Sequence, residues 1–278
     1  MQDTRISFEF FPPKTEKGRE KLKRVRKELN KLQPEFFSVT YGAGGSTRDN
    51  TLGIVKGMLK EKLPTAPHLS FGGDSEDSML ELINIYKDMG VNRIVALRGD
   101  RPSGMGGPSK QLVYANELVE FIRKHTGDHF QLEVAAYPEV HPEAPGYVQD
   151  IRYLKGKFDA GANSALTQYF FNTDAYFYFI DECAKEGIDQ PIYPGIMPIT
   201  NFVNLARFSD ACGAEIPRWI RKKLDSYGDN VEAIAAFGEE FISRFCEKLL
   251  AGGAPGLHFY TMNNLEPTTT IVNNIRSN

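Results

Sequence analysis

The sequence is poor in cysteine and tryptophan, carries no excess of positive charge, and has no long uninterrupted apolar run. Its three cysteines, Cys183, Cys212 and Cys246, form no CxxC pair and leave one unpaired in any disulfide scheme. A disulfide scaffold is thereby excluded, and a reducing, cytoplasmic setting is expected. The net charge of -3, with Lys and Arg scattered among acids, lacks the basic footprint that a nucleic-acid partner demands. The chain reaches Arg5 and Glu9 before any apolar signal core, and the long uncharged stretch from Gln190 to Ala206 is broken by Pro191, Pro194 and Pro198. Neither an export segment nor a membrane partner is expected. HExxH and Cys/His clusters are missing, and His68 and His141 stand alone, so no metal is expected.

With 41% hydrophobic and 25% charged residues over 278 positions, the chain can bury one large core. Short apolar, β-branched runs alternate with longer amphipathic stretches, as when parallel strands are joined by crossover helices. Eight runs read as strands: Ile6 to Phe10, Phe36 to Thr40, Ala66 to Leu69, Arg93 to Leu97, Gln131 to Ala135, Ser164 to Gln168, Ile192 to Ile196, and Gly256 to Tyr260. Met79, Leu82, Ile83 and Tyr86 recur at spacings of three and four, which predicts a helix capped by Ser75 and stopped by Gly90. Gly161, Gly187 and Gly252 precede the sixth, seventh and eighth strands as left-handed helix terminators. The interval from Cys212 to Gly256 exceeds one crossover and predicts an extra helix from Pro217, ahead of the main one at Val231 to Ala251. The pattern predicts an α/β fold, a single (β/α)8 TIM barrel over residues 1–278 with an extra helix before the last unit. An open doubly wound sheet is the alternative.

A barrel of this kind gathers its active site at the carboxyl ends of the strands. Polar residues fall at nearly every such end: Glu9, Thr40 with Tyr41, His68, Arg98 with Asp100, Tyr137 with Glu139 and His141, Gln168, and Tyr260 with Asn263. Strand alternation puts Ser7, Glu9 and Phe11 on one face and Phe8 and Phe10 on the other. Glu9 is therefore expected among aromatic rings, where desolvation keeps a carboxyl protonated as a general acid requires. A carboxylate paired with a barrel arginine is equally consistent. Arg98-Gly99-Asp100 suits close approach to a planar or anionic ligand, and suits a salt-bridged turn as well. The glycine-rich stretch from Tyr41 to Ser46 lacks the Walker ending and the dinucleotide-fold spacing, which favours an ordinary β/α loop. The Gly-, Pro- and Ser-rich loop from Pro102 to Lys110 reads as a mobile cover. A barrel lyase or aldolase would need a metal or a Schiff-base lysine, and no lysine occupies a strand interior or immediate strand end.

Taken in order, Phe8 to Pro13, Ser38 to Ala43, Ala66 to Leu69, Ala96 to Asp100, Ala135 to Ala144, Asp159 to Asn163 and Thr167 to Phe171 resemble the motif series of the methylenetetrahydrofolate reductase family. Pro194 to Pro198 and His258 to Thr261 extend the resemblance to the last strand, and the run Ala135 to Glu143 is by itself highly specific. The resemblance implies a flavin barrel in which NADH or NADPH reduces FAD, departs, and is replaced by methylenetetrahydrofolate. Ping-pong hydride transfer would then yield methyltetrahydrofolate, supplying methyl groups for methionine synthesis.

On that resemblance Glu9 would be the general acid that helps open the folate ring, and Asp100 the charge beside flavin and pterin. Thr40, Tyr41, Ala43, His68, Arg98, Gly99, Asp100, Tyr114, Ala115, Tyr137, His141, Asp150 and Lys157 would line the FAD. Gln168 and Phe208 would meet folate and nicotinamide in turn, with Glu9, Thr40 and Asp100 also facing substrate. The sequence departs from the enterobacterial pattern at Tyr153, Gly156, Asn204 and Asn264, on the adenine side and at the folate tail. No regulatory C-terminal module is expected. The exposed helix faces leave room for a homo-oligomer, but neither its interface nor the choice between NADH and NADPH is legible. A catalytically silent barrel inside a larger complex is the remaining alternative, against which intact Glu9, Asp100 and Gln168 argue.

Overall fold

The computed structural model describes residues 4–41, 48–71, 75–98 and 114–277. Eight parallel strands close into a barrel in sequence order: β1 (Arg5–Phe10), β2 (Phe36–Val39), β3 (Thr65–Leu69), β4 (Arg93–Ala96), β5 (Gln131–Ala136), β6 (Ser164–Tyr169), β7 (Ile192–Ile196) and β8 (Gly256–Tyr260). Helices α1 (Glu16–Asn30), α2 (Arg48–Lys60), α3 (Glu76–Asp88), α4 (Ala115–Thr126), α5 (Tyr147–Asp159) and α6 (Thr173–Lys185) alternate with the first seven strands. The crossover from β7 to β8 holds α7 (Phe202–Cys212), α8 (Arg218–Tyr227) and α9 (Val231–Ala251), and α10 (Thr268–Ser277) follows β8. The helix from Pro217 is therefore present as α8, with α7 as a further helix ahead of it.

Period-two alternation sorts each strand into two faces with separate packing. Ile6, Phe8 and Phe10 of β1 point outward into the layer shared with Leu22, Val25 and Leu29 of α1. Phe36, Ala66, Val95, Leu166 and Tyr193 form a second cluster inside the barrel. Helix α3 begins and ends as its spacing predicts: the Ser75 hydroxyl accepts from the Ser78 amide, and Gly90 takes φ of +80°. The terminator before β8 is a correction. Gly252 has φ of -83° and Gly253 takes the left-handed turn at +95°. Gly252 is small for another reason, because a Cβ there would lie 2.2 Å from the Phe177 ring.

The amino-terminal end of the barrel is a closed floor of mutually paired polar groups. Arg93 Nη1 lies 2.5 Å from the fully buried Glu133 and Nη2 lies 2.6 Å from Glu35, while its guanidinium sits 4.4 Å over the Phe36 ring. Ser164 donates to Glu133, and Arg5 donates to the Tyr193 hydroxyl at 3.2 Å. Among the described residues no helix is long and apolar enough to cross a membrane, and no cluster of His, Cys, Asp and Glu could hold a metal.

Candidate active site at the carboxyl ends of the strands

Glu9 lies on the inward face of β1, in register with Ser38 of β2 and Tyr260 of β8. Its Oε2 is 3.3 Å from His68 Nε2 of β3 and 3.7 Å from His258 Nε2 of β8. These are ion-pair separations without hydrogen-bond alignment, and both ring nitrogens are buried with no other partner. His258 is held from behind, its Nδ1 2.7 Å from Ser7 Oγ. Thr261 Oγ1 donates to the Glu9 carbonyl at 2.7 Å and fixes the strand end.

This arrangement corrects the expectation of an aromatic setting for Glu9. Phe8 and Phe10 pack outward, and the carboxylate meets two imidazoles instead. Burial pushes the Glu9 carboxyl up, but the pull of His258 and then His68 outweighs it and brings the value down to about 2. The two imidazoles therefore favour the ionised carboxylate over the protonated form.

Buried polar atoms without a hydrogen-bond partner converge on the same interior, two of them the imidazole nitrogens that face Glu9. Ser38 Oγ, Thr40 Oγ1, His68 Nε2 and His258 Nε2 account for four of the nine such atoms among the described residues. Leaving each unpaired costs about 1–3 kcal/mol, which a folded protein tolerates mainly where a ligand or water completes them. On the far side of the mouth, the Tyr260 hydroxyl donates to the Thr167 carbonyl at 2.7 Å, tying the end of β8 to β6 beside Gln168. Burial and the nearby Glu9 charge hold the Tyr260 phenol well above its ordinary value, so it stays a donor.

A second polar group gathers over β4 and β5. Arg98 Nη1 meets Glu143 Oε2 at 2.5 Å, and that bond raises the guanidinium further. The His141 amide donates to Asp150 Oδ2 at 2.8 Å, and the His141 ring stands edge-on to Tyr137 at 4.5 Å. Burial, then Arg98, holds His141 below its ordinary value. Lys157 reaches in from α5, donating to the Ala135 carbonyl at 2.7 Å, and burial brings it down to about 8. Tyr41 is half-buried at the end of β2, Tyr114 is exposed and Ala115 buried at the start of α4, and Phe208 is half-buried on α7. Gln168 Oε1 accepts from the Tyr169 amide at 3.0 Å. Ala43, Gly99 and Asp100, and the loop from Pro102 to Lys110, lie outside the described residues.

The family model for methylenetetrahydrofolate reductase matches residues 1–276. The chain belongs to that family. It is 40% identical over 267 residues to the 5,10-methylenetetrahydrofolate reductase of Escherichia coli (strain K12), covering 96% of this chain and 88% of that one. Against the enzyme of the same name from Pectobacterium carotovorum subsp. carotovorum it is 41% identical over 263 residues, covering 94% and 86%. Methylenetetrahydrofolate reductase (NADH) 1 of Arabidopsis thaliana is 40% identical over 277 residues, covering 94% of this chain and 46% of the plant protein. Among solved structures, an uncharacterized protein from Clostridium thermocellum that binds two copies of 5-methyl-5,6,7,8-tetrahydrofolic acid superposes with a TM-score of 0.68. It covers 99% of this chain and 94% of that one at 17% identity, a likeness of fold alone.

Within this member of the methylenetetrahydrofolate reductase family, the site residues missed from sequence are Ser38 and His258, and Ser7, placed on the face of Glu9, was given no role. The signal was available: alternation in Gly256–Tyr260 turns His258 inward with Tyr260, and in Phe36–Val39 it turns Ser38 inward with Phe36.

Proposed function

We propose that the chain is an FAD-dependent methylenetetrahydrofolate reductase that takes hydride from NADH or NADPH and reduces methylenetetrahydrofolate to methyltetrahydrofolate by a ping-pong course, in the cytoplasm. The observation that carries the reading is the convergence of unpaired polar atoms from β2, β3 and β8 around Glu9 at the carboxyl ends of the strands. Mutually paired polar groups at the floor offer no such opening.

The described residues fit a flavin. Thr40 Oγ1 is a buried donor or acceptor without a protein partner and His68 Nε2 meets only Glu9, and Arg98, Tyr137, His141, Asp150 and Lys157 form a linked polar wall beside them. These residues, with Tyr41, Ala43, Gly99, Asp100, Tyr114 and Ala115, would hold the FAD. When bound, FAD supplies the two-electron carrier between nicotinamide and folate.

Glu9 supplies the proton. The folate ring carbon is bonded to two amines, and protonating one of them lets its C–N bond break with the electron pair leaving on nitrogen. Glu9 must first gain that proton, and the His68 and His258 rings lie 3.3 and 3.7 Å from its carboxylate. A folate ring seated over Glu9 excludes water, which favours the neutral carboxyl. Asp100 would stabilise the positive charge left on the folate. Gln168 and Phe208 would orient folate and nicotinamide in turn, so that each excludes the other. The test is FAD titration followed by two assays: NADH or NADPH oxidation with menadione, and folate reduction. A protein that binds no FAD and gains no activity from it refutes the reading.

A further inference from the structure

Glu139 takes no part in this chemistry, yet it bridges two elements that frame the mouth. It lies in the loop between β5 and α5, and its Oε2 accepts from the Glu215 amide, just beyond α7, at 2.8 Å. The two segments interlock in a narrow cleft lined by Tyr137, Pro138, Val140, Gln168, Tyr169 and Cys212. Gly213 ends α7 with φ of +76°, and a Cβ there would lie 2.8 Å from Pro142 of the facing loop. Next to Glu139, Val140 is held at φ of +73°, a costly conformation for a β-branched residue that persists only where its surroundings impose it.

We propose that Glu139 is a positioning residue that ties α7, and with it Phe208, across the mouth of the barrel. The proposal rests on the reading of Phe208 as the residue that folate and nicotinamide contact. Helix α7 is fastened to β6 on one side, with Ser209 Oγ 3.1 Å and Cys212 Sγ 3.4 Å from the Tyr169 hydroxyl. The Glu139 bond is its second fastening, to the loop whose other side holds Asp150 through the His141 amide and Arg98 through Glu143. One loop thus joins the wall assigned to the flavin to the helix assigned to the substrates.

The tie also responds to pH. Burial pushes Glu139 up to about 7, against the bond from the Glu215 amide, and the Glu215 carboxylate adds to the rise. Tyr137, Tyr169 and Cys212 are the other ionisable groups lining the cleft. The tied state therefore binds the proton more tightly than an opened one. Its advantage is fully present below the ordinary value of 4.5 and is lost as pH rises through about 7.

The test compares Glu139→Ala, which removes the acceptor, with Glu139→Gln, which keeps an oxygen at the same reach but cannot titrate. In the FAD-loaded chain, hydrogen exchange at amides 213–216 should rise about tenfold in Glu139→Ala, the loss of one net hydrogen bond. KM for methylenetetrahydrofolate and for NADH should rise together about three- to tenfold, more than kcat falls, with Glu139→Gln recovering most of both. Between pH 5.5 and 8 the KM of the unmutated protein should climb while that of Glu139→Gln stays flatter. Unchanged exchange in Glu139→Ala overturns the tie, and raised exchange with unchanged KM overturns its role in placing Phe208. If the unmutated protein had no reductase activity, the reading of Phe208 would fall, while exchange would still decide the tie.

Discussion

The floor and the mouth of this barrel are both lined with buried polar side chains, and they differ in whether those side chains are paired with one another. At the floor Arg93 answers both Glu35 and Glu133, Ser164 answers Glu133, and the exposed Arg5 answers the buried Tyr193. At the mouth Ser38 and Thr40 each keep a buried hydroxyl without a protein partner, and the Nε2 atoms of His68 and His258 meet only the Glu9 carboxylate, without hydrogen-bond alignment. Burying polar groups is costly at either end, so the paired set reads as structure and the unpaired set as a surface made for something else. The two ends should therefore fail differently when altered.

The largest effect on stability is expected at the floor. Arg93→Met strands Glu133, and urea unfolding should register a loss of about 3–5 kcal/mol near pH 8. Burial already holds the Glu133 carboxyl above its ordinary value of 4.5, ahead of the opposing pull of Arg93 and Ser164. The folded chain thus favours the protonated form, whose contribution is full below 4.5 and lost as pH rises through the folded value. Without Arg93 the rise is larger, so the deficit should shrink toward pH 5. A deficit independent of pH would break the assignment of Glu133 as the stranded group.

A smaller, functional loss is expected from His258→Asn at the mouth. It removes one of the two imidazoles beside Glu9, and folate reduction should slow by about tenfold at neutral pH. If urea unfolding showed a loss comparable to that of Arg93→Met, the mouth would be structure like the floor. The smallest effect should come from Ser38→Ala, which deletes a fully buried hydroxyl with no partner. Thermal unfolding should show stability unchanged or raised by about 0.5–1 kcal/mol, and a loss above that range would mean the hydroxyl is paired after all.

Much of the barrel was legible from periodicity. All eight strands begin and end within one residue of their expected bounds, because short apolar runs alternate with amphipathic stretches and glycine stops. The double glycine before β8 misled, since either residue can turn a chain and only packing against Phe177 assigns Gly252 its place. Glu9 could be placed at a strand end, but its surroundings could not. The imidazoles that hold it ionised come from β3 and β8, and closure of the ring, not proximity in sequence, brings them to it. Lys157 was marked by the resemblance alone, and it is the packing of α5 that brings its ammonium to the Ala135 carbonyl. Glu139 stood out as a polar residue at a strand end, whereas its partner is a backbone amide, which no side-chain pattern announces.

The most direct trial of the account is stopped-flow kinetics of Glu9→Gln in the FAD-loaded chain, following both half-reactions. The amide cannot give up a proton but keeps the shape of the site, so reduction by NADH or NADPH should persist while folate reduction falls by about 10²–10⁴. Equal loss in the two half-reactions would contradict Glu9 as the proton donor.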